Sequence, residues 1–374
     1  MRLRFLFSVA KRIAIAGVAL CVTFVVAAAI FAARCASVDR VQKIQSDAAR
    51  QRLQLTAGIK DYARDEDSTY LGYPEWFIVW SYTEKADFQQ QGLPSGFPFF
   101  ESIQQYWSGY CCVHGMTHGK YPFNFGEHLM LVVIGSSFSV EYAIRGVYEN
   151  TIGRFTEWTS RHEAADEDVY SRRVAREYAN FVHARPFYEF SFWKRFKGLW
   201  SENTLWGRHP ARKLERRLFL SLDYAIEAFY CWVIEAGTHA VYGIESADTY
   251  AWIENTPASI FTQNSRIRKV KDVGVGAYIV IIPRYQEFTT VAEWLANRDV
   301  HFVEIAGNDE ILVTAIAARD WTYDLTVGEA AFSTEVATMP ERKRVAIAAP
   351  VGNLHTVMNE LTNRGISIEH VYDY

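Results

Sequence analysis

Cysteine is scarce and poorly spaced for its usual structural roles. The five are Cys21, Cys35, Cys111, Cys112 and Cys231, an odd number with no CxxC pair. That pattern fits neither a disulfide framework nor a cysteine zinc site, so free thiols are expected. An excess of basic charge is missing too: the formal net charge is −4. With no broad basic stripe, nucleic acid is not expected as a partner. Motifs for well-known chemistry are also absent. There is no P-loop, no G-x-S-x-G elbow and no H-E-x-x-H helix. "GVGAY" at 274–278 is too short for a dinucleotide fingerprint and leads into a strand. No cofactor is therefore expected.

What is present is apolar and aromatic. Apolar residues make up 49% of the 374, and Phe, Trp and Tyr 15%. Such a chain is not disordered, and its amphipathic rings suit both a large core and a membrane interface. Between Arg12 and Arg34 the run Ile13–Ala33 has neither charge nor proline. It is long enough to cross a hydrocarbon core of ~30 Å. Arg2, Arg4, Lys11 and Arg12 precede it, which puts residues 1–12 in the cytoplasm as a basic tail. Residues 34–66 read as a polar helical stalk. Everything beyond the anchor then lies across the membrane.

Residues 67–265 read as an aromatic-rich, mainly α-helical domain. A helix is expected from near Tyr73 with Pro74 in its first turn. Further helices are expected from about Phe100, from Gly126 to Trp158, from the acidic "HEAADEDVY" to about His183, and from Arg212 to Tyr242. "RPFYEFSFWKRFKGLWSENTLWGRHP" between the last two has broken periodicity and reads as an aromatic-basic connector.

Residues 270–374 change character. "GAYIVIIP", "VHFVEIA", "EILVTAIA", "RVAIAAP" and "ISIEHVYDY" read as strands. "QEFTTVAEWLAN" and "NLHTVMNELTN" read as helices, and "GND" as the turn joining the second and third strands. Two βαβ-type units point to one ferredoxin-like α+β domain. "APVGNLHTVMNELTNRGISIEHVYDY" resembles the ACT domain in Gly352, Leu354, Val357, Gly365, Ile366 and Ile368. That resemblance implies a ligand-sensing module. "YLGYPEWFIVW", "YPFNFGEHLMLVVIGSSFSVEYAIRGVYENTIGR" and "KLERRLFLSLDYAIEAFY" together resemble an uncharacterised group of bacterial membrane-anchored proteins. It implies a membrane-anchored architecture and no chemistry. With the anchor and its basic flank, the expected location is the inner membrane, single-pass, with the bulk in the periplasm if the host is a Gram-negative bacterium.

The two longest helices echo each other: "SVEYAIRGVYE" (139–149) aligns with "SLDYAIEAFYC" (221–231). In the second, Leu222, Ile226, Phe229, Val233, Ala236 and Ala240 form a seam that is expected to face the core. Asp223, Glu227, Cys231, Glu235 and His239 then fall on the opposite side. Arg145 is expected to pair with Glu141, Glu149, Asp223 or Glu227 as a structural ion network. If those carboxylates were free, Glu141, Asp223, Glu227, Glu235 and His239 would be the catalytic candidates. His128, Glu235 and His239 would be the metal candidates. Three functions compete. The first is membrane-anchored binding or scaffolding for a membrane-associated partner, with the C-terminal module as contact or sensing surface. The second is an envelope enzyme on a lipid-soluble substrate. The third is a three-pass protein whose charged seam lies within the bilayer, where its charges must face each other.

Overall fold

The computed structural model describes residues 55–65, 67–204, 206–241 and 247–373, without the side chains of 237–241. The basic tail, the run 13–33 and stalk residues 34–54 lie outside the described residues. Residues 55–65 are not a helical stalk. They run mostly as turns and irregular chain over the C-terminal sheets. There Arg64 N–H donates to the Ala306 carbonyl (2.8 Å) and the Tyr62 hydroxyl to Glu304 (3.0 Å).

The helical region holds α1 (Ser68–Gln91), α2 (Phe99–Thr117), α3 (Phe125–Tyr148), α4 (Arg154–Thr159), α5 (Asp166–Val182), α6 (Phe192–Glu202) and α7 (Pro210–Val241). α1 begins earlier than expected, because the N–H groups of Tyr70 and Leu71 already bond the Asp67 carbonyl. Pro74 is therefore interior and forgoes the helical bond to the Tyr70 carbonyl. Tyr70, Leu71, Tyr73, Trp76, Phe77 and Trp80 are all buried, so α1 is wrapped on most of its circumference. α3 starts at an Asn124 cap, whose Oδ1 accepts from Glu127 N–H (3.3 Å). A π-helical turn, Glu149–Gly153, joins α3 to α4, so 125–159 is one rod. Among the described residues it alone is long and apolar enough to cross a membrane, and only 33% of its apolar window is buried. The aromatic-basic connector is not shapeless: it contains α6.

α1 runs alongside α3 in the same direction. Phe77 packs on Phe138, the Ser81 hydroxyl donates to Tyr142 (3.1 Å) and the Tyr82 hydroxyl to Glu141 (2.7 Å). α2 runs against α3, with Phe99 on Tyr142, the Tyr106 hydroxyl on the Leu131 carbonyl (2.6 Å) and the Tyr110 hydroxyl 3.2 Å from His128 Nδ1.

The C-terminal region is α+β and starts at 248, not 270. The first sheet comes from β1 (Asp248–Glu254), β2 (Arg268–Gly274), β3 (Ala277–Pro283) and β4 (His301–Ile305). A short helix α8 (Ile260–Gln263) follows β1, and α9 (Gln286–Ala296) follows β3. The second sheet comes from β5 (Glu310–Ala318), β6 (Glu329–Glu335), β7 (Arg342–Pro350) and β8 (Ser367–Val371), with α10 (Leu354–Asn363) before β8. Their orders are β2-β3-β1-β4 and β6-β7-β5-β8, all antiparallel. Counted from its own first strand, each sheet has the same order. The two βαβ stretches thus belong to different sheets rather than to one. "GND" does hold a tight turn, with Ile305 and Asn308 paired across it, but beyond that bridge the turn carries the chain from β4 at one sheet's edge to β5 in the other. Gly307 there has φ +79°, and a Cβ on it would sit 2.7 Å from the Ala63 Cβ.

α9 reaches the second sheet, where Thr289 Oγ1 accepts from Val371 N–H (2.9 Å). α10 reaches back, its Asn359 amide donating to the Ala296 carbonyl (3.4 Å). The second sheet also packs on α1. Thr69 Oγ1 accepts from Leu312 N–H (2.9 Å), Tyr73 meets Phe332 edge-on, and Trp76 stacks on His370. α1 is thus sandwiched between α3 and the sheets.

Gly135 tests this packing with a sign. In an isolated helix, Gly→Ala gains about 1 kcal/mol. At position 135 the new Cβ would lie 2.0 Å from the buried Tyr106 ring. Overpacking of that kind costs about 1–3 kcal/mol. Gly135→Ala is expected to lower the unfolding midpoint, measured by thermal unfolding of the purified protein. A higher midpoint would show that α2 and α3 do not meet there.

Candidate functional site

α7 is turned the opposite way from the sequence expectation. Leu222 (61% exposed), Ile226 (57%) and Phe229 (64%) face outward, as do Leu214, Leu218, Trp232 and Val233. Asp223, Glu227 and Cys231 face inward. The apolar seam is therefore the outer face. Its inner face is occupied by charge, and the reason lies in the partners that charge meets.

Nearest the N-terminus of α7, Arg212, Lys213, Arg216 and Arg217 are all buried. Arg212 holds Asp168 (2.9 Å), Glu215 (3.0 Å) and Glu157 (3.3 Å). Arg216 holds Glu149 (2.7 Å) and Asp168 (3.2 Å). Lys213 and Arg217 both hold Glu167. Asp168 also accepts the Ala165 N–H (2.9 Å), so one carboxylate caps α5 and neutralises α7. The acidic opening of α5 thus matches the basic opening of α7. Gly153 in the π-helical turn gives Glu149 room to fold back: a Cβ there would be 2.4 Å from Glu149 Oε2.

Two turns further along α7 lies the second group. Arg145 pairs with Glu141 (2.6 Å), Asp223 (2.9 Å) and Glu227 (3.0 Å). Glu149, the fourth expected partner, is taken by Arg216 instead. The contacts Ser137–Tyr230 (3.1 Å), Arg145–Asp223 and Tyr148–Glu215 (2.6 Å) run in opposite directions along the two helices. α3 and α7 are therefore antiparallel. The aligned positions 145 and 227 meet each other as arginine and glutamate.

Sequence reasoning missed Lys85 of α1. Its ammonium lies over the Tyr82 and Tyr142 rings, 5.4 and 5.6 Å from their centroids. Together with Arg145 and the three carboxylates it lines a cavity of about 60 Å³, which also touches Glu149 and Arg216. Burial, then the nearby Arg145, lowers Lys85 to about 8. Burial, then Glu141, raises Glu227 well above the ordinary carboxylate range. Burial sets both directions because it penalises the charged form of each group, and the neighbouring Glu141 adds to the rise of Glu227. Nothing in the Lys85 segment "SYTEKADF" distinguishes it from an exposed helix lysine. The only signal was the charge imbalance of the Arg145 group.

The other candidates separate from this group. Glu235 is exposed, and the His239 side chain lies outside the described residues. His128 sits at the far end of α3, stacked on Phe123 with Nδ1 3.2 Å from the Tyr110 hydroxyl. It lines a cavity of about 20 Å³ with His114, His118 and Asp67. Burial, then the neighbouring His114, lowers His128 to about 4. His128 is buried on α3 and Glu235 is exposed on α7, and among the described residues the two do not share a cluster of three metal-ligating groups. Cys111, Cys112 and Cys231 are free thiols. No protein-family model, curated protein or solved structure matches this chain.

The geometry assigns Arg145 to holding three carboxylates. Its removal leaves uncompensated buried charge, and Arg145→Ala is expected to cost about 3–5 kcal/mol of stability. Glu235→Ala on the open surface should stay within about 0.5 kcal/mol. Denaturant unfolding of the two variants checks the contrast, and equal losses would refute it.

The pH dependence has a definite sign. Glu227 is raised in the folded state, so its contribution is full below about pH 4.5 and is lost as pH rises through the raised value. Lys85 is lowered, so the cost of burying its ammonium is relieved only between about pH 8 and 10.5. Stability should therefore fall from about pH 5 to 8, and Glu227→Gln should flatten that fall. Parallel pH profiles of the wild type and Glu227→Gln would contradict this assignment.

Proposed function

We propose that this chain is a membrane-anchored binding or scaffold protein whose helical domain lies on the bilayer through α3, α6 and α7. The observation that carries the reading is the outer face of α7. Every exposed residue from Leu214 to Val233 is apolar, while every charged residue from Arg212 to Glu227 points inward. α3 matches it with exposed Met130, Val133, Val140, Ile144 and Val147, and the rod continues with Ile152, Phe155 and Trp158. A face of this size on a water-soluble surface marks a membrane or protein contact. Beside α7, α6 exposes Trp193 and Trp200 with Lys194 and Lys197, the residues of an interfacial helix. The anchor Ile13–Ala33 would tether the domain to the same surface and raise its effective concentration there.

Lying on the bilayer is favoured over crossing it. α1 and α2 flank α3 along its length, and the sheets sit behind them. A spanning α3 would carry those polar layers into hydrocarbon. α5, which packs on α1, would bring Arg172, Arg173 and Arg176 with it. Charged groups at that depth cost ~2.5–3.5 kcal/mol each. The enzyme reading gains little from the cavity: pockets for small molecules are typically about 300–1,000 Å³. In this proposal the two α+β units, ferredoxin-like in strand order, form the contact or sensing surface held away from the bilayer. The bulk of the chain lies across the membrane from the N-terminus, in the periplasm of a bacterial host.

Spin labels in the full chain, reconstituted in nanodiscs, test the orientation. With the native cysteines replaced, Ile226→Cys and Ile144→Cys should show high oxygen and low nickel-chelate accessibility. Depths of about 5–10 Å are expected. A label at position 111 on the polar face of α2 should show the reverse. Aqueous accessibility at all three positions would sink the proposal. Depths running through the bilayer midplane would favour the three-pass alternative.

A further inference from the structure

The first and second sheet units meet at a cluster that no sequence motif announced. His301 opens β4 of the first sheet, Asp299 lies two residues before it, and His355 is in the first turn of α10 of the second unit. One ligand atom from each lies within 4.8 Å of the other two. The two imidazole rings are stacked, with centroids 3.9 Å apart and planes 14° from parallel.

We propose that Asp299, His301 and His355 bind a divalent transition-metal ion of the zinc class, bridging the two sheet units. Four observations carry this. First, His355 Nδ1 is buried and has no hydrogen-bond partner. A buried ring nitrogen left unpaired is costly, and a metal would satisfy it. Second, His355 Nε2 is engaged by the Thr356 hydroxyl (3.1 Å). A hydrogen bond to one ring nitrogen fixes the tautomer and leaves the other as ligand. Third, the carboxylate is positioned: Asn255 Nδ2 donates to Asp299 Oδ2 (3.1 Å), and the other oxygen, Oδ1, faces His301 Nε2 (3.2 Å). Fourth, Asp299 adopts φ +57°, an uncommon backbone state for aspartate. That conformation turns the segment between α9 and β4 so that its carboxylate and the His301 ring lie together.

The donor set selects the class of ion. Two imidazoles and one carboxylate suit zinc and its neighbours, whereas calcium and magnesium prefer all-oxygen sites. Ligand atoms at about 2.0–2.1 Å from one ion lie at most about 4.2 Å apart, so binding draws the three slightly together. Asp299 is largely exposed, with side-chain accessibility of 77%, and leaves a coordination position open to water or a partner's side chain. Because His301 lies on a strand of the first unit and His355 on the helix α10 of the second, the ion would lock the relative position of the two units. This goes beyond the membrane reading and does not depend on it.

The test uses the full chain in nanodiscs, stripped with chelator and titrated with Zn²⁺ against a chromogenic competitor. The wild type should take one tightly held ion per chain. The His301→Ala/His355→Ala variant should lose it, and Thr356→Val should weaken it by about 10–100-fold. X-ray absorption on the zinc-loaded wild type gives a reading that needs no variant to fold. It should show nitrogen and oxygen ligands from two imidazoles and a carboxylate, without sulfur. Three results would overturn the proposal: no zinc uptake by the wild type, undiminished affinity in the double histidine variant, or sulfur in the coordination shell.

Discussion

The rotation of α7 about its own axis is decided by charge. Arg212, Lys213, Arg216 and Arg217 occupy one side of its first two turns, and Asp223 and Glu227 continue that side. The π-helical turn after α3, the short α4 and the first turn of α5 present Glu149, Glu157, Glu167 and Asp168 to meet them. Once these pairs form, α7 has no freedom to turn its leucines inward. Exposing one buried, paired charge's partner costs several kcal/mol, more than the ~1.5–3 kcal/mol recovered by burying one leucine. The inverted helix follows from that inequality, repeated at each turn.

The same inequality explains what the sequence could and could not reveal. Periodicity correctly separated two faces of α7, Leu222–Ile226–Phe229–Val233 on one and Asp223–Glu227–Cys231 on the other. It carries no information about which face points inward. The choice came from the rule that apolar groups go inside, which holds when the alternative is water. The contrary signal was present in composition. "KLERR" and "HEAADEDVY" are short blocks of opposite charge, each at the start of a long helix, and together they could have been matched. Arg145 with Glu141, Asp223 and Glu227 was legible because helical spacing places them on facing sides. Lys85 was not, because its partners are close only in three dimensions.

In the C-terminal region the individual elements were legible and their grouping was not. The strands at 277–283, 301–305, 310–318, 342–350 and 367–371 are short apolar runs between turn residues, where local pattern is informative. β1 escaped notice because "DTYAWIE" alternates weakly, and β2 because "RKVKDVG" is charged and almost wholly exposed. Without them the two βαβ stretches looked like halves of one sheet. Each sheet instead places an earlier strand, β1 or β5, between the two strands that flank a helix. Repeated order in two sheets is a long-range property that no window of ten residues contains.

α1 joins these two stories. Its residue Glu84 pairs with Arg344 (2.9 Å), which sits over Trp80 and also holds Glu369 of the second sheet. The next residue, Lys85, enters the Arg145 cavity on the other side. Adjacent residues on a helix point about 100° apart, so one turn of α1 serves a buried cation of the sheets and buried carboxylates of the helices. Rotating α1 to improve either contact would withdraw the other and strand a charge. The helix is therefore fixed in azimuth by two ionic groups it does not share. Its aromatic residues, Tyr73, Trp76, Phe77 and Trp80, then fill the space on both sides. That makes α1 the rigid reference against which both the apolar face of α7 and the paired sheets are positioned, even though its own sequence carries only one charge pair's worth of evidence for either.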